Sequence, residues 1–193
     1  MLFRLLLLFI SPCYPFFFSV QSERHSTALP LQKVTLNICG RQTGGDALLW
    51  EGGYAEYTKR LARSAGSADG VALSTVFHKS DGSLSRSYRS SIEGGKGIIV
   101  LDNKDSKNEL CSNKFAQALY EQLERGGSRL DIFIGGMDGL PKDITDDCLG
   151  DGTSNVKVIS LGKMTFTHHF CRVIIAEQIY RGREIRRGSK YHK

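Results

Sequence analysis

The sequence predicts an α/β domain built on a parallel sheet flanked by helices, and three observations carry that expectation. From Lys33 onward, short apolar runs alternate with longer stretches of helical periodicity, the pattern of strands joined by crossover helices. Two of those runs, Gly97-Ile-Ile-Val-Leu101 and Leu130-Asp-Ile-Phe-Ile134, are nearly continuous in aliphatic or aromatic residues, as strands covered on both faces are. Three runs open into loops rich in glycine or aspartate, and in open α/β sheets ligands sit beyond the carboxyl ends of strands.

Taken in order, Val34–Cys39 reads as the first strand, closed by Gly40. A helix is expected over Gly53–Ala65, with Tyr54, Tyr57, Leu61 and Ala62 at helical spacing. Val71–Phe77 is the second strand and Leu84–Ile92 a short helix, followed by the strand Gly97–Leu101. Phe115, Ala118, Leu119 and Leu123 make one helical stripe, with Ser112 as the expected N-cap. Leu130–Ile134 and Val156–Leu161 complete the strands. A long final helix is expected to use Phe166, Phe170, Val173 and Ile174, with Ile179 and Tyr180, as its apolar face and to end at Gly182.

The chain start differs in composition. Leu5–Ile10, behind a single Arg4, is apolar but far shorter than the roughly 20 residues that span a bilayer, and Pro12 and Pro15 interrupt its continuation. Residues 1–30 are therefore expected to be a targeting presequence and linker, with a genuine membrane anchor as the alternative, leaving residues 31–193 as one domain with no stable membrane association once the presequence is removed. A single arginine in the apolar start suits an arginine-rich mitochondrial signal poorly, and the Ser/Thr-containing stretch after it favours a plastid; secretion is the bland alternative.

The chain carries 26 Lys and Arg against 20 Asp and Glu. Between Arg172 and the end lie Arg172, Arg181, Arg183, Arg186, Arg187, Lys190 and Lys193 against Glu177 and Glu184. Nearly all of the positive excess thus sits at one end, which fits either a footprint for a polyanion such as RNA or a solvated tail. Five cysteines, at 13, 39, 111, 148 and 171, lack the close pairing that zinc sites use, so no metal is expected, and the four beyond the presequence are expected to be reduced and mostly buried.

Each strand-end loop alone is ambiguous. Ile134-Gly-Gly-Met-Asp-Gly139 has neither dinucleotide-binding nor P-loop spacing, a tight turn explains its glycines equally well, and Asp102 is as readily a turn residue as an acid. Together and in order, however, Val100-Leu-Asp, Phe133-Ile-Gly-Gly-x-x-Gly-Leu140, Ser160-Leu-x-x-Met-Thr-Phe-x-His168, Arg172-Val-x-x-x-Glu-Gln-Ile-Tyr-Arg181 and the closing Tyr191-His-Lys resemble the RlmH family. That family comprises the 23S rRNA pseudouridine N3-methyltransferases of the SPOUT superfamily, and the likeness runs from about Gln32 to Lys193.

The resemblance implies a SPOUT-type parallel sheet with a deep C-terminal trefoil knot, S-adenosyl-L-methionine as cofactor, a homodimer, and large-subunit rRNA or the ribosome as partner. It implies a cofactor pocket made of Leu101, Gly135, Gly136, Leu161, Gly162, Lys163, Met164, Thr165, Phe166 and Thr167. It implies catalytic roles for Tyr191 and His192 beside the target base, with His168 and Arg172 assisting, and RNA contacts from Arg181, Arg183, Arg186, Arg187 and Lys190. Thr167 replaces a usual proline, Gly162 a common serine, and His169 a frequent glutamine. The same residues also fit a SPOUT enzyme acting on another RNA, or a non-catalytic ribosome-binding or assembly factor. A bacterial-type rRNA enzyme behind a presequence would serve an organelle.

Overall fold

A computed structural model describes residues 31–44, 46–63, 70–102, 108–136, 138–149 and 156–192; the expected presequence and Lys193 lie outside these. In chain order the elements are β1 (Gln32–Cys39), α1 (Ala47–Ala62), β2 (Val71–His78), α2 (Asp81–Glu93), β3 (Gly97–Leu101), α3 (Ser112–Arg125), β4 (Arg129–Ile134), α4 (Lys142–Leu149), β5 (Val156–Ile159) and α5 (His168–Arg186). All five strands are parallel, in the order β2-β1-β4-β3-β5, so β4 and β3 lie inside the sheet and need apolar residues on both faces.

Side chains alternate across the sheet. Ile99, Ile132 and Ile134 meet Leu61 of α1, Phe115 and Leu119 of α3 and Ile175 and Ile179 of α5 in one core. Ile98, Val100 and Phe133 point the other way and meet Leu84 and Tyr88 of α2 and Ile144 of α4 in a second. The Tyr88 ring stands edge-on to Phe133 at 5.3 Å between centroids, a geometry favoured by the ring quadrupoles. Below the second core, buried Asp131 accepts from Ser91 Oγ at 2.5 Å and Lys96 Nζ at 2.7 Å, so its charge is satisfied where an unpaired one would be costly.

The expected elements are present with several shifts. α1 begins at Ala47, six residues before the expected Gly53; Leu48 and Leu49 are exposed, so the apolar pattern there is not a core pattern. Gly53 lies within the helix, where a Cβ would come 3.2 Å from Val173 Cγ1 on α5, so glycine there lets the two helices pack closely; the expected continuation to Ala65 falls outside the described residues. Cys111, not Ser112, is the N-cap residue of α3. The sequence gives no reading of α4.

Gly182 does not end α5. It is buried within the helix, where an added Cβ would lie 3.3 Å from Leu119 Cδ2 and 3.4 Å from Ala116 Cβ, so glycine lets α5 approach α3 closely. The helix ends at Arg186, and Gly188 supplies the left-handed turn beyond it (φ 64°). Its buried stripe is His169, Arg172, Ile175, Ala176, Ile179 and Arg183, whereas Phe170, Val173 and Ile174 are only half-buried. No described helix is long and apolar enough to cross a membrane.

Candidate functional site

The loops at the carboxyl ends of β3, β4 and β5 converge with the N-terminus of α5 on a cleft of about 270 Å³. Leu101, Gly135, Gly136, Leu161, Gly162, Met164, Thr165 and Phe166, members of the expected cofactor set, line it with His168, expected to be catalytic; Asp102, Ile134, Asp138, Gly139, Leu140 and Cys171 complete the wall. The β4 loop is shaped by backbone bonds: Gly136 N donates to Gly139 O at 3.0 Å and Gly139 N returns a bond to Gly136 O at 3.2 Å. A Cβ on Gly135 would fall 2.3 Å from the Gly139 carbonyl, so no larger residue fits that turn. On the β5 side, Ser160 Oγ accepts from Gly162 N at 3.1 Å, and Gly162 has φ +112°, a conformation glycine adopts without strain.

Two expected cofactor residues are not in this wall. Lys163 is exposed outside it. Thr167 is the N-cap of α5: its Oγ1 accepts from Phe170 N at 3.4 Å and donates to Asp46 Oδ2 at 2.6 Å. A hydroxyl that fixes the helix start in this way, worth about 1 kcal/mol, orients His168 and His169 rather than touching the cleft. It also holds the Asp46 carboxyl below the ordinary range.

His168 stands between this cleft and a second cavity of about 920 Å³. Its ring lies against Gly40 (φ +150°), where a Cβ would come 2.9 Å from Cε1 and Nε2, and it packs on His169 at 4.2 Å between centroids. His168 Nε2 and His169 Nδ1 are buried and have no hydrogen-bond partner among the described residues. Burial, then the neighbouring His168, pushes the His169 pKa below its ordinary value, which favours a neutral ring. Cys171 behind the cleft has its thiol raised to about 11 by burial, and burial and Asp81 raise Cys39 likewise to about 11; neither is a nucleophile near neutral pH. The four described cysteines are all free, with Cys39 buried, Cys148 and Cys171 half-buried and Cys111 exposed.

Arg172 is not in either cavity wall, contrary to the role expected of it. It is 2% exposed, paired with Glu51 and lying 4.2 Å over the Tyr54 ring, one helical turn beyond His168 on the side facing α1. Arg183 is likewise removed from the RNA-contact set. It is 3% exposed, bonded to Glu184 Oε1 at 2.9 Å and donating to the carbonyls of Arg60 and Leu61, so it ties α5 to the end of α1. Arg181 is half-buried against Glu177 at 2.6 Å. Arg186, Arg187 and Lys190 remain on the surface, with Arg186 over the Tyr120 ring at 4.3 Å and Arg187 3.8 Å from Glu184.

Tyr191 and His192 do not reach the cleft of their own chain. The Tyr191 hydroxyl donates to Glu177 Oε1 at 3.1 Å, and its ring meets Tyr180 edge-on at 4.9 Å. Burial, then hydrogen bonds to Tyr57 and Glu177, raise that hydroxyl's pKa, so it remains a proton donor. Glu177 lies nine residues beyond His168, about 13 Å along the helix axis. His192 is half-buried, and its Nδ1 has no hydrogen-bond partner among the described residues. Among the described residues, no group of three or more His, Cys, Asp or Glu is placed to hold a metal ion.

Sequence reasoning missed Asp138, Cys171, Gly40 and the second cavity. A usable signal existed for Gly40, which closes a strand in the same manner as Gly135 and precedes a cation, Arg41.

Comparison with known proteins adds an independent line. Residues 33–192 match the family described as predicted SPOUT methyltransferase. The chain is similar to ribosomal RNA large subunit methyltransferase H of Protochlamydia amoebophila, 44% identical over 96 residues, a match spanning 50% of this chain and 61% of that protein. The protein of the same name in Rhizobium leguminosarum bv. trifolii is 34% identical over 149 residues, 72% of this chain and 87% of the relative. That of Dinoroseobacter shibae is 29% identical over 163 residues, 83% and 99% of the two chains.

Proposed function

The chain belongs to the SPOUT methyltransferase family, within it to the RlmH group, and from that premise we propose that it is an enzyme that methylates large-subunit ribosomal RNA with S-adenosyl-L-methionine as methyl donor. The observation that carries this reading is the first cleft. Among the described residues its wall holds Leu101, Leu161, Phe166, two glycine-shaped turns, two carboxylates, and no Lys or Arg.

That donor set fits the cofactor. Apolar side chains suit an adenine face, backbone groups in the glycine loops suit its polar edge, and Asp102 and Asp138 suit a cationic sulfonium and ammonium, where a phosphate-bearing cofactor would call for cations. When bound, the cofactor supplies an electrophilic methyl group. Lodging it in a preformed cleft aligns donor and acceptor, which can lower the barrier by several kcal/mol.

The acceptor in this reading is N3 of a uridine or pseudouridine, whose imide proton must leave. A ring nitrogen of an imidazole can take up a proton, so His192 with Tyr191 is proposed to act at the base and His168 to orient it from the cleft wall. Because Tyr191 is packed on Glu177 at a distance from its own cleft, the tail serves the cleft of a second copy, and the working unit is a homodimer. The half-buried face of Phe170, Val173 and Ile174 supports such an interface.

The segment from Ser160 is proposed to be threaded as a trefoil knot. Ser160 N bonds Asn108 O at 2.9 Å and Ser160 bridges Glu109, so residues 108–109 lie against the chain shortly before α5, a contact that supports this reading. Residues 1–30 are proposed to direct the protein to an organelle, a plastid before a mitochondrion; a fluorescent fusion of that segment that stays in the cytosol or is secreted rejects this.

The decisive test is mass spectrometry of large-subunit rRNA from cells lacking this protein. Loss of one N3-methylated (pseudo)uridine, restored by the wild-type chain, supports the reading. An unchanged large-subunit rRNA with a methyl lost from another RNA points to a different substrate, and no change in any RNA points to a non-catalytic ribosome-binding factor.

A further inference from the structure

The second cavity is contiguous with the cofactor cleft, since Gly136, Asp138 and His168 belong to both walls. Its chemistry differs. Arg41 and Lys79 stand at the ends of the paired strands β1 and β2, just beyond the Cys39–His78 register pair. Both are exposed, and neither is paired with a carboxylate among the described residues.

The N-termini of three helices open onto the same space: Asp46 starts α1, Asp81 starts α2, and His168 and His169 start α5. Helix N-termini favour anions. Three carboxylates also face it, but two are engaged: Asp46 accepts from Trp50 Nε1 and Thr167 Oγ1, and Asp81 from the Cys39 thiol at 3.2 Å. The third, Asp138, is exposed on the wall shared with the cleft. His169 is 3% exposed, lines the cavity, and has a buried Nδ1 without a partner. A buried polar atom left unbonded is costly, and a ligand entering the cavity would relieve that cost.

Resting on the methyltransferase reading, we infer that this second cavity receives the target pyrimidine nucleotide of the RNA, with Arg41 and Lys79 holding its backbone phosphates and His168, His169 and Asp138 facing the base. The mixed polarity suits that ligand. Ring carbonyls accept from imidazole N–H, a ring N–H donates to the Asp138 carboxylate, and the phosphates take the two cations and the helix ends. The cavity volume also suits a nucleotide, and the shared wall sets the base beside the cleft. Gly40 becomes a positioning residue, because only glycine leaves room for the His168 ring at that wall.

The test uses the full chain, large-subunit rRNA as probe, and a radiolabelled methyl donor. The double variant Arg41→Ala, Lys79→Ala is compared with Lys33→Ala, Lys114→Ala, whose exposed cations lie away from both cavities. The first pair should weaken rRNA binding by about 10- to 100-fold and reduce the log affinity against log salt slope by about 1.5 to 2, with cofactor affinity by calorimetry within twofold of wild type. Gly40→Ala, strained at φ +150°, should lower turnover at saturating rRNA far more than it lowers cofactor affinity, with some loss of melting temperature. A first pair with wild-type rRNA affinity and slope, or a control pair that loses as much, overturns the pocket and leaves the family reading intact if the wild type still labels rRNA. A wild type that transfers no label overturns both.

Discussion

At its N-terminal end, α5 presents His168 and Cys171 to a cleft whose wall, among the described residues, contains no Lys or Arg. At its C-terminal end, about 27 Å along the axis, it presents Arg186, Arg187 and the following Lys190 to solvent. One helix thus carries a site that discriminates by shape and weak polarity and a surface that attracts by charge. Electrostatic attraction acts over a Debye length, about 8 Å at physiological salt, and positions a polyanion without selecting an atom. Methyl transfer needs alignment within a fraction of an ångström. The two tasks tolerate separation, and the Tyr191-His192 tail, folded back only as far as Glu177, leaves them separate within one chain.

Removing Tyr191–Lys193 should sharpen this division most. Turnover is expected to fall by about 100- to 10,000-fold, the range for losing a positioned acid or base, while calorimetry finds cofactor binding within a few-fold of wild type. Lost cofactor binding, or normal turnover, would place the tail in a role other than the proposed one.

The next effect separates the arginines themselves. Arg183→Ala removes the close partner of buried Glu184, leaving only Arg187 at 3.8 Å, and a donor to the Arg60 and Leu61 carbonyls, so a loss of about 3–5 kcal/mol in denaturant unfolding is expected. Arg186→Glu with Arg187→Glu should leave unfolding within about 1 kcal/mol of wild type and instead weaken ribosome binding in a salt-dependent way. If the second variant unfolds like the first, or its ribosome affinity is unchanged at low salt, the C-terminal end is structural and the contrast fails.

Much of this contrast was not legible in the sequence. The strands β3 and β4 were, because burial on both faces forces runs such as Ile98-Ile-Val100. So were the cleft loops and His168, because ordered motifs record backbone approach that periodicity does not. The fates of Arg172 and Arg183 were hidden, since their partners Glu51, Arg60 and Leu61 lie about 120 residues away. Gly182 read as a terminator because a glycine that ends a helix and one that admits a crossing helix look alike until α3 is in place. Among its described side chains, α4 has one fully buried apolar residue, Ile144, in an eight-residue helix, too little to show a period. The second cavity is made by three helix starts far apart in sequence, so only the fold assembles it.

Methyl transfer from the cleft to large-subunit rRNA is the step on which every assigned role depends. Purified protein, large ribosomal subunits lacking the modification, and S-adenosyl-L-methionine carrying a labelled methyl test it without intermediaries. About one methyl per subunit is expected, on N3 of a single (pseudo)uridine, abolished by Gly135→Val, whose side chain the Gly139 backbone excludes. Label absent from the large-subunit rRNA, or transferred equally well by the Gly135 variant, refutes it.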